Sequence, residues 1–429
     1  MVVTNYQQAL DYLYENLPMF QRVGPAAMKP DLINTIELCR IVGNPEKKFR
    51  SVHVGGTNGK GSTSHMLASI FQSAGYKTGL FTSPHLKEFT ERIKVNGKEV
   101  PPDFVTDFVN RLHPSIQRIR PSFFELTVAM AFDYFASEVI DVGVIEVGLG
   151  GRLDSTNVIN PLISVITNIG WDHKDLLGNT LREIAAEKAG IIKKDTPVVI
   201  SERQPEVEEV FTDKARAENA PLVFASDHYR AKFSEGGPIN VFKDSVIFLE
   251  DIDLPLQGLY QEKNLAGVLQ GVELLGTRGL PVSASQLRHG LEHVILQTDF
   301  KGRWQKLRDS PMVICDTGHN LDGVASVVKQ LQAQKYQKLH MVWGMVKDKD
   351  IGPILSILPK QASYYFCQAK IPRAMDAAAL SQLGAAVGLK GVVVPDVNMA
   401  ITTALKSAST DDLIFIGGST FVVAEIEDL

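Results

Sequence analysis

The chain has 429 residues, 44% apolar and 22% charged, with a formal net charge of −5. At ~150 residues per domain that length predicts two or three domains with ordinary globular composition, and the mild acidic balance excludes a polybasic surface for nucleic acid or anionic membrane. Cys39, Cys315 and Cys367 are too scattered for a metal motif or a disulfide framework, MVVTNYQQALDYLYENLP lacks signal-peptide features, and no apolar run is long enough to span a bilayer, so a cytoplasmic, membrane-free protein is expected.

Residues 5–42 read as two helices broken around Pro18 to Pro30. Ser51 to Val54 is a short strand, and Met66, Leu67, Ile70 and Phe71 recur at helical spacing. Between them lies GGTNGKGS, and the rest of the chain reads as organised around this stretch. A strand, a glycine-rich turn and a helix N-terminus make an anion site, to which Lys60 adds a charge. Gly56, Thr57, Asn58, Gly59, Lys60, Gly61 and Ser62 form the expected phosphate cradle. The match to the Walker A pattern is imperfect: Val54 stands where that pattern has glycine, and Gly61 follows the lysine.

Thr78 to Thr82 is a second strand, 103–118 and 123–137 are helices, and Val142 to Val147 and Leu162 to Thr167 are further strands. A helix spans Leu181 to Ile191, and the alternation runs to about residue 224. Strands alternating with helices predict a mostly parallel, helix-covered sheet. Residues 226–257, around Gly236-Gly237-Pro238 and Asp244, read as a small antiparallel section, followed by helices at about 260–276 and 284–294. A second βα series starts near residue 298 and ends with Leu413 to Ile416, a smaller Rossmann-like domain. The expected fold is thus α/β, with a P-loop domain over 1–297 and the Rossmann-like domain over 298–429.

In such sheets ligands bind beyond the C-terminal strand ends. Thr82, Ser83 and His85, then Glu146, then Asn168, Asp172 and His173 all follow strands and are expected on the edge that carries Lys60. Serine, carboxylate and imidazole around phosphates suit a Mg²⁺ site, although oxygen is the usual magnesium ligand. Taken singly, His173 reads as a capped loop histidine and Glu146 as a turn cap. Lys188, on a predicted amphipathic helix, reads as a solvated surface lysine. In the second domain DTGHN offers Asp316 and His319 to a ribose or phosphate, or Asn320 as an N-cap. Arg303, at the domain junction, suits a phosphoryl group or an ion pair equally.

GTNGKGS, TSPHL, FFE, EVGLGGRLDSTN, DHKDLLG, EKAGI, QEKNLAG, GRWQ, DTGHN and GGST, in this order, resemble the folylpolyglutamate synthase/dihydrofolate synthase family of Mur-ligase-like ATP-dependent amide ligases. The resemblance covers nearly the whole chain. It implies that ATP phosphorylates the carboxylate of dihydropteroate or a folate, and that L-glutamate attacks the acyl phosphate. It also implies that Lys60 and Ser62 hold phosphates, and that Ser83, Glu146 and His173 bind Mg²⁺. Lys188 matches a carbamylated lysine serving a second Mg²⁺, which reverses the surface reading. By the same resemblance Asn264 meets adenine, Arg303 the phosphates, Asp316 and His319 the nucleotide, and Phe124, Glu125 and Asp154 match positions near the pterin end or the linking region. Gly318 stands where the family more often has alanine, and no histidine follows Ser419. A monomer acting on small molecules is expected. The alternatives are a Mur-type ligase acting on a cell-wall precursor, a P-loop kinase or nucleotide-binding regulator, and a degenerate nucleotide-binding module.

Overall fold

A computed structural model describes residues 3–27, 29–234 and 237–429. Met28, within the expected helix break, and Gly236, within the antiparallel section, lie outside the described residues. The chain folds as two compact units. The first holds residues up to Gly170, Lys174–Pro255 and Gln261–Asp299; the second holds Trp171–His173, Leu256–Tyr260 and Phe300–Leu429. Among the described residues no helix is long and apolar enough to cross a membrane.

The first unit carries an eight-stranded sheet of β1 (Arg50–Gly55), β2 (Thr78–Phe81), β3 (Ile93–Val95), β4 (Lys98–Glu99), β5 (Val142–Glu146), β6 (Ile163–Ile166), β7 (Val198–Ile200) and β8 (Leu222–Phe224). Its order is β4-β3-β2-β5-β1-β6-β7-β8. Strands β2, β5, β1, β6, β7 and β8 are parallel, so their C-terminal ends share one edge. The central strands are buried on both faces, as a helix-covered parallel sheet requires. Strand β3 runs antiparallel to β2 and turns back into β4, a hairpin that was not expected. Its turn is Asn96-Gly97, with φ of +47° and +73°, a two-residue loop whose handedness matches the strand twist.

The helix Lys60–Ser73 is buried along Gly61–Phe71, including its polar residues. Those groups find partners inside: Ser69 Oγ donates to Gly290 O at 2.6 Å, and His65 Nδ1 lies 2.8 Å from Thr298 Oγ1. The helix Phe123–Ser137 starts at a capping box in which Ser122 N donates to Glu125 Oε2 at 2.6 Å and Glu125 N to Ser122 Oγ at 3.2 Å. Its apolar face joins a core with Phe81, Phe89, Phe108 and Ile145. The section over 226–257 is antiparallel as expected: β9 (Tyr229–Phe233), β10 (Ile239–Lys243) and β11 (Val246–Ile252).

The second unit holds β12 (Gln305–Asp309), β13 (Met312–Cys315), β14 (Leu339–Trp343), β15 (Ser363–Phe366), β16 (Lys390–Val393) and β17 (Leu413–Gly417), ordered β12-β13-β17-β14-β15-β16. All neighbours are parallel except β12, an antiparallel edge strand absent from the expected series. Period-2 alternation sends Ile314, Met341 and Phe415 into one core and Val313, Val342 and Ile414 into the other.

Candidate active site

At the end of β1 the chain turns through Gly56, whose φ of +136° suits glycine and where a Cβ would overlap Thr167 Oγ1. The exit of β6 clamps this loop. Thr57 N donates to Asn168 O at 2.8 Å, Asn58 N to Asn168 Oδ1 at 2.9 Å, and Thr167 Oγ1 to Asn58 O at 2.6 Å. Gly59, at φ +84°, then opens the helix Lys60–Ser73. Lys60 Nζ lies back on its own loop, 3.2 Å from Gly56 O and 3.1 Å from Thr57 O. A preset loop at a helix N-terminus with an adjacent ammonium is an anion cradle.

Lys188 belongs to this cradle. It lies on the helix Leu181–Ala189, is 4% exposed, and donates from Nζ to Gly56 O at 2.8 Å. The surface reading of this residue is therefore overturned: a partner 132 positions away in sequence buries it.

On the same edge, past β2, Ser83 N donates to Glu146 Oε2 at 3.2 Å, bringing the hydroxyl-bearing residue and the carboxylate at the end of β5 together. Beneath them lies Arg92, which the sequence reading missed. It is 1% exposed, and Nε donates to His85 Nδ1 at 2.7 Å. Its guanidinium carbon lies 5.3 Å from the Phe123 ring centroid. Burial pushes the guanidinium down to about 10, against the charges of Tyr14, Glu91 and Glu146. Burial, then the neighbouring Arg92 charge, holds His85 well below the ordinary range, so its imidazole is a neutral acceptor at Nδ1.

Phe124 lays its ring against Gly148, where a Cβ would overlap it. Glu125 is buried in the capping box and within 3.4 Å of Asn34 Nδ2. Asp154 Oδ2 accepts from Leu149 N at 2.8 Å, and Oδ1 from Thr156 N at 3.0 Å and Thr156 Oγ1 at 2.5 Å. Burial still pushes this carboxyl above its ordinary range. Thr156 Oγ1 also meets His53 Nε2 at 2.8 Å, and burial drives His53 down to about 3.

Asp172 and His173, expected on the edge that carries Lys60, are part of the second unit. Asp172 Oδ1 lies 2.5 Å from Lys349 Nζ, and its Oδ2 lies 3.3 Å from Asn320 Nδ2 and 3.6 Å from His319 Nε2. Burial opposes its ionisation, yet His319 and Lys349 hold it well below the ordinary carboxylate range. His173 takes φ +49° and donates its N–H to Asp172 Oδ1 at 2.9 Å. Asn320 is an N-cap, accepting from Gly323 N at 2.9 Å. Asp316 is a node: Oδ2 accepts from Tyr260 OH at 2.6 Å and Trp304 N at 2.7 Å, and Oδ1 from Gly318 N at 2.7 Å. Arg303 donates to Gly302 O at 3.3 Å and lies 5.6 Å from the Phe300 ring centroid.

Among the described residues no group of three or more His, Cys, Asp and Glu side chains is arranged to hold a metal ion. Ser83 and Glu146, joined through the Ser83 N–H, are nonetheless residue types whose oxygens suit a hard divalent cation.

Two family models match the chain: the Mur ligase middle domain over residues 54–270 and the Mur ligase glutamate ligase domain over 302–420. A dihydrofolate synthase/folylpolyglutamate synthase of Bacillus subtilis is 34% identical, with 99% of this chain and 98% of that protein covered. The Escherichia coli FolC structure in complex with DHPP and ADP superposes with a TM-score of 0.87 at 29% identity, covering 98% of this chain and 96% of that one. A bifunctional folylpolyglutamate synthase/dihydrofolate synthase from Yersinia pestis, complexed with AMPPNP and a Mn ion, superposes with a TM-score of 0.83 at 27% identity, covering 98% and 97%.

Proposed function

The chain belongs to the folylpolyglutamate synthase/dihydrofolate synthase family of ATP-dependent glutamate ligases, and from that premise we propose that it joins L-glutamate to dihydropteroate, to a reduced folate, or to both. A substrate carboxylate oxygen attacks the γ-phosphorus of ATP, the bond to the β-phosphate oxygen breaks, and ADP leaves an acyl phosphate. The glutamate amine then attacks the acyl carbon and loses a proton, and phosphate departs with the former carboxylate oxygen. Such a transfer asks for positioning and charge neutralisation more than for covalent help from the protein.

The observation that carries this reading is the convergence of Lys60 and Lys188 on Gly56 O within a clamped glycine-rich loop. Residues Gly56 to Ser62 cradle the phosphates. Lys60 exchanges its carbonyl partners for phosphate oxygens, Arg303 adds a second cation, Asn264 meets adenine, and Asp316 and His319 serve the nucleotide from the second unit. Ser83, Glu146, His173 and Lys188 are the proposed metal set, for two ions. Mg²⁺, when bound, neutralises phosphate charge and draws the phosphate oxygens into line. Carbamylation would give Lys188 oxygen donors while leaving one N–H on Nζ for Gly56 O, so the bond seen here is compatible with it.

Phe124, Glu125 and Asp154 shape the pterin side. Both carboxylates already accept internal donors, which supports a fixed wall there. Residues 1–297 act as the ATP-binding catalytic domain and 298–429 as the glutamate ligase domain of a cytoplasmic monomer.

Phosphate release from ATP and Mg²⁺ with L-glutamate tests this, with dihydropteroate, tetrahydrofolate or neither. Release with dihydropteroate alone means dihydrofolate synthase, with tetrahydrofolate alone folylpolyglutamate synthase, and with both a bifunctional enzyme. No release above the pterin-free control with either acceptor sinks the folate reading and points to a cell-wall precursor instead.

A further inference from the structure

One buried amide, outside every residue assigned above, bridges the cradle and the proposed adenine contact. Gln261 is the first residue of the helix Gln261–Gly276 and has no exposed surface. Its Nε2 donates to Ser62 Oγ at 3.1 Å, and its Oε1 accepts from Asn264 Nδ2 at 2.7 Å. Asn264 Oδ1 in turn lies against Gly59, where a Cβ would overlap it. Three side chains thus tie the start of this helix to the start of the helix Lys60–Ser73, within the first unit.

The polarity of the chain carries the argument. A carboxamide has one donor end and one acceptor end, and Gln261 uses both. Ser62 is 1% exposed, and its oxygen accepts the Gln261 N–H. The single hydroxyl proton of Ser62 is then left for a different acceptor, and in an anion cradle that acceptor is a phosphate oxygen. Asn264, giving an N–H to Gln261, keeps its amide in one of two orientations.

We propose that Gln261 is a positioning residue for the nucleotide: it sets Ser62 as a hydrogen-bond donor to phosphate and fixes the amide of Asn264, coupling the two ends of the site. This rests on the nucleotide reading above. Gln261 touches no reacting atom and acts through its two neighbours.

Two near-isosteric variants separate those neighbours. Gln261→Glu can still accept from Asn264 but turns the Ser62 proton away from phosphate. Gln261→Met removes both hydrogen bonds. Binding of ADP with Mg²⁺, and of adenosine, is measured by calorimetry on each full-length variant that melts cooperatively, alone and combined with Ser62→Ala. Gln261→Glu is expected to weaken ADP by about tenfold or more while sparing adenosine, and Gln261→Met to weaken both. In the Ser62→Ala background the loss of ADP affinity on adding Gln261→Met should shrink, because the bond it removes is already gone.

A merely structural glutamine would lower the melting temperature without separating ADP from adenosine. Unchanged ADP affinity in the variants, equal loss of ADP and adenosine in Gln261→Glu, or full additivity with Ser62→Ala overturns the proposal. If Gln261→Met does not fold, Gln261→Glu alone decides it; if neither folds, Gln261 is structural and the proposal falls. Failure of the wild-type protein to bind ADP would instead remove the nucleotide reading itself.

Discussion

Lys60 and Lys188 reach the same atom: Gly56 O lies 3.2 Å from one Nζ and 2.8 Å from the other. Two ammonium groups on one carbonyl repel each other, and with Lys188 only 4% exposed little water screens them. Nucleotide phosphate would relieve the repulsion by drawing Lys60 away, and carbamylation would relieve it by reversing the sign at Lys188.

Lys188→Ala is therefore expected to lower glutamate-dependent phosphate release by about 100-fold or more, the scale for losing a group that organises charge in the transition state. Small carboxylates such as acetate should restore part of it. Lys188→Arg keeps a positive charge but cannot carry a carbamate, and should stay as inactive as the alanine variant. Full activity in Lys188→Arg would exclude the carbamate.

Gly56→Ala and Gly75→Ala both place a side chain at positive φ, +136° and +88°. At Gly75 nothing lies within 4 Å of the added Cβ, whereas at Gly56 it meets Thr167. Urea denaturation should give a loss of about 1 kcal/mol at Gly75 and more than about 2 kcal/mol at Gly56. Only Gly56→Ala should also abolish ADP binding.

Chelation of divalent metal should stop phosphate release, and Mg²⁺ or Mn²⁺ should restore it. Glu146→Gln removes a charge but keeps an acceptor for Ser83 N, and should raise the metal concentration for half-activity by about 10- to 100-fold. An unchanged metal titration would remove Glu146 from the metal set.

His53 makes stability fall with acid. Above about 6.5 the imidazole is neutral whether folded or unfolded. Between there and about 3 the unfolded chain binds a proton that buried His53 refuses, so folding loses up to about 1.4 kcal/mol per pH unit. Below about 3 both states are charged and the dependence ends. His53→Gln should melt with a shallower pH dependence between 6 and about 4, which thermal melts at constant ionic strength would reveal.

The strand, glycine turn and buried helix at Arg50–Ser73 were legible because turn chemistry and periodicity agree there. The β3–β4 hairpin was missed although Asn96-Gly97 announces it, since both strands are short. Strand β12 was missed because four of its five residues are polar, as at an exposed edge. Burial of Arg92 and Lys188, and the service of Gln261 to Ser62, leave no local trace. The partners of Lys188 and Gln261 lie 132 and 199 positions away along the chain, and only the fold brings them together.

The Asp172–Lys349 pair spans 177 positions of sequence, and both ends belong to the second unit. A ribosome has thus released Asp172 long before the lysine that neutralises it exists. The first unit, whose last residue is Asp299, can fold while synthesis continues. The second must wait for nearly the whole chain, because β17 completes its sheet only at Gly417. A truncated product ending before Lys349 would leave Asp172 without that counter-ion, marking it for quality control.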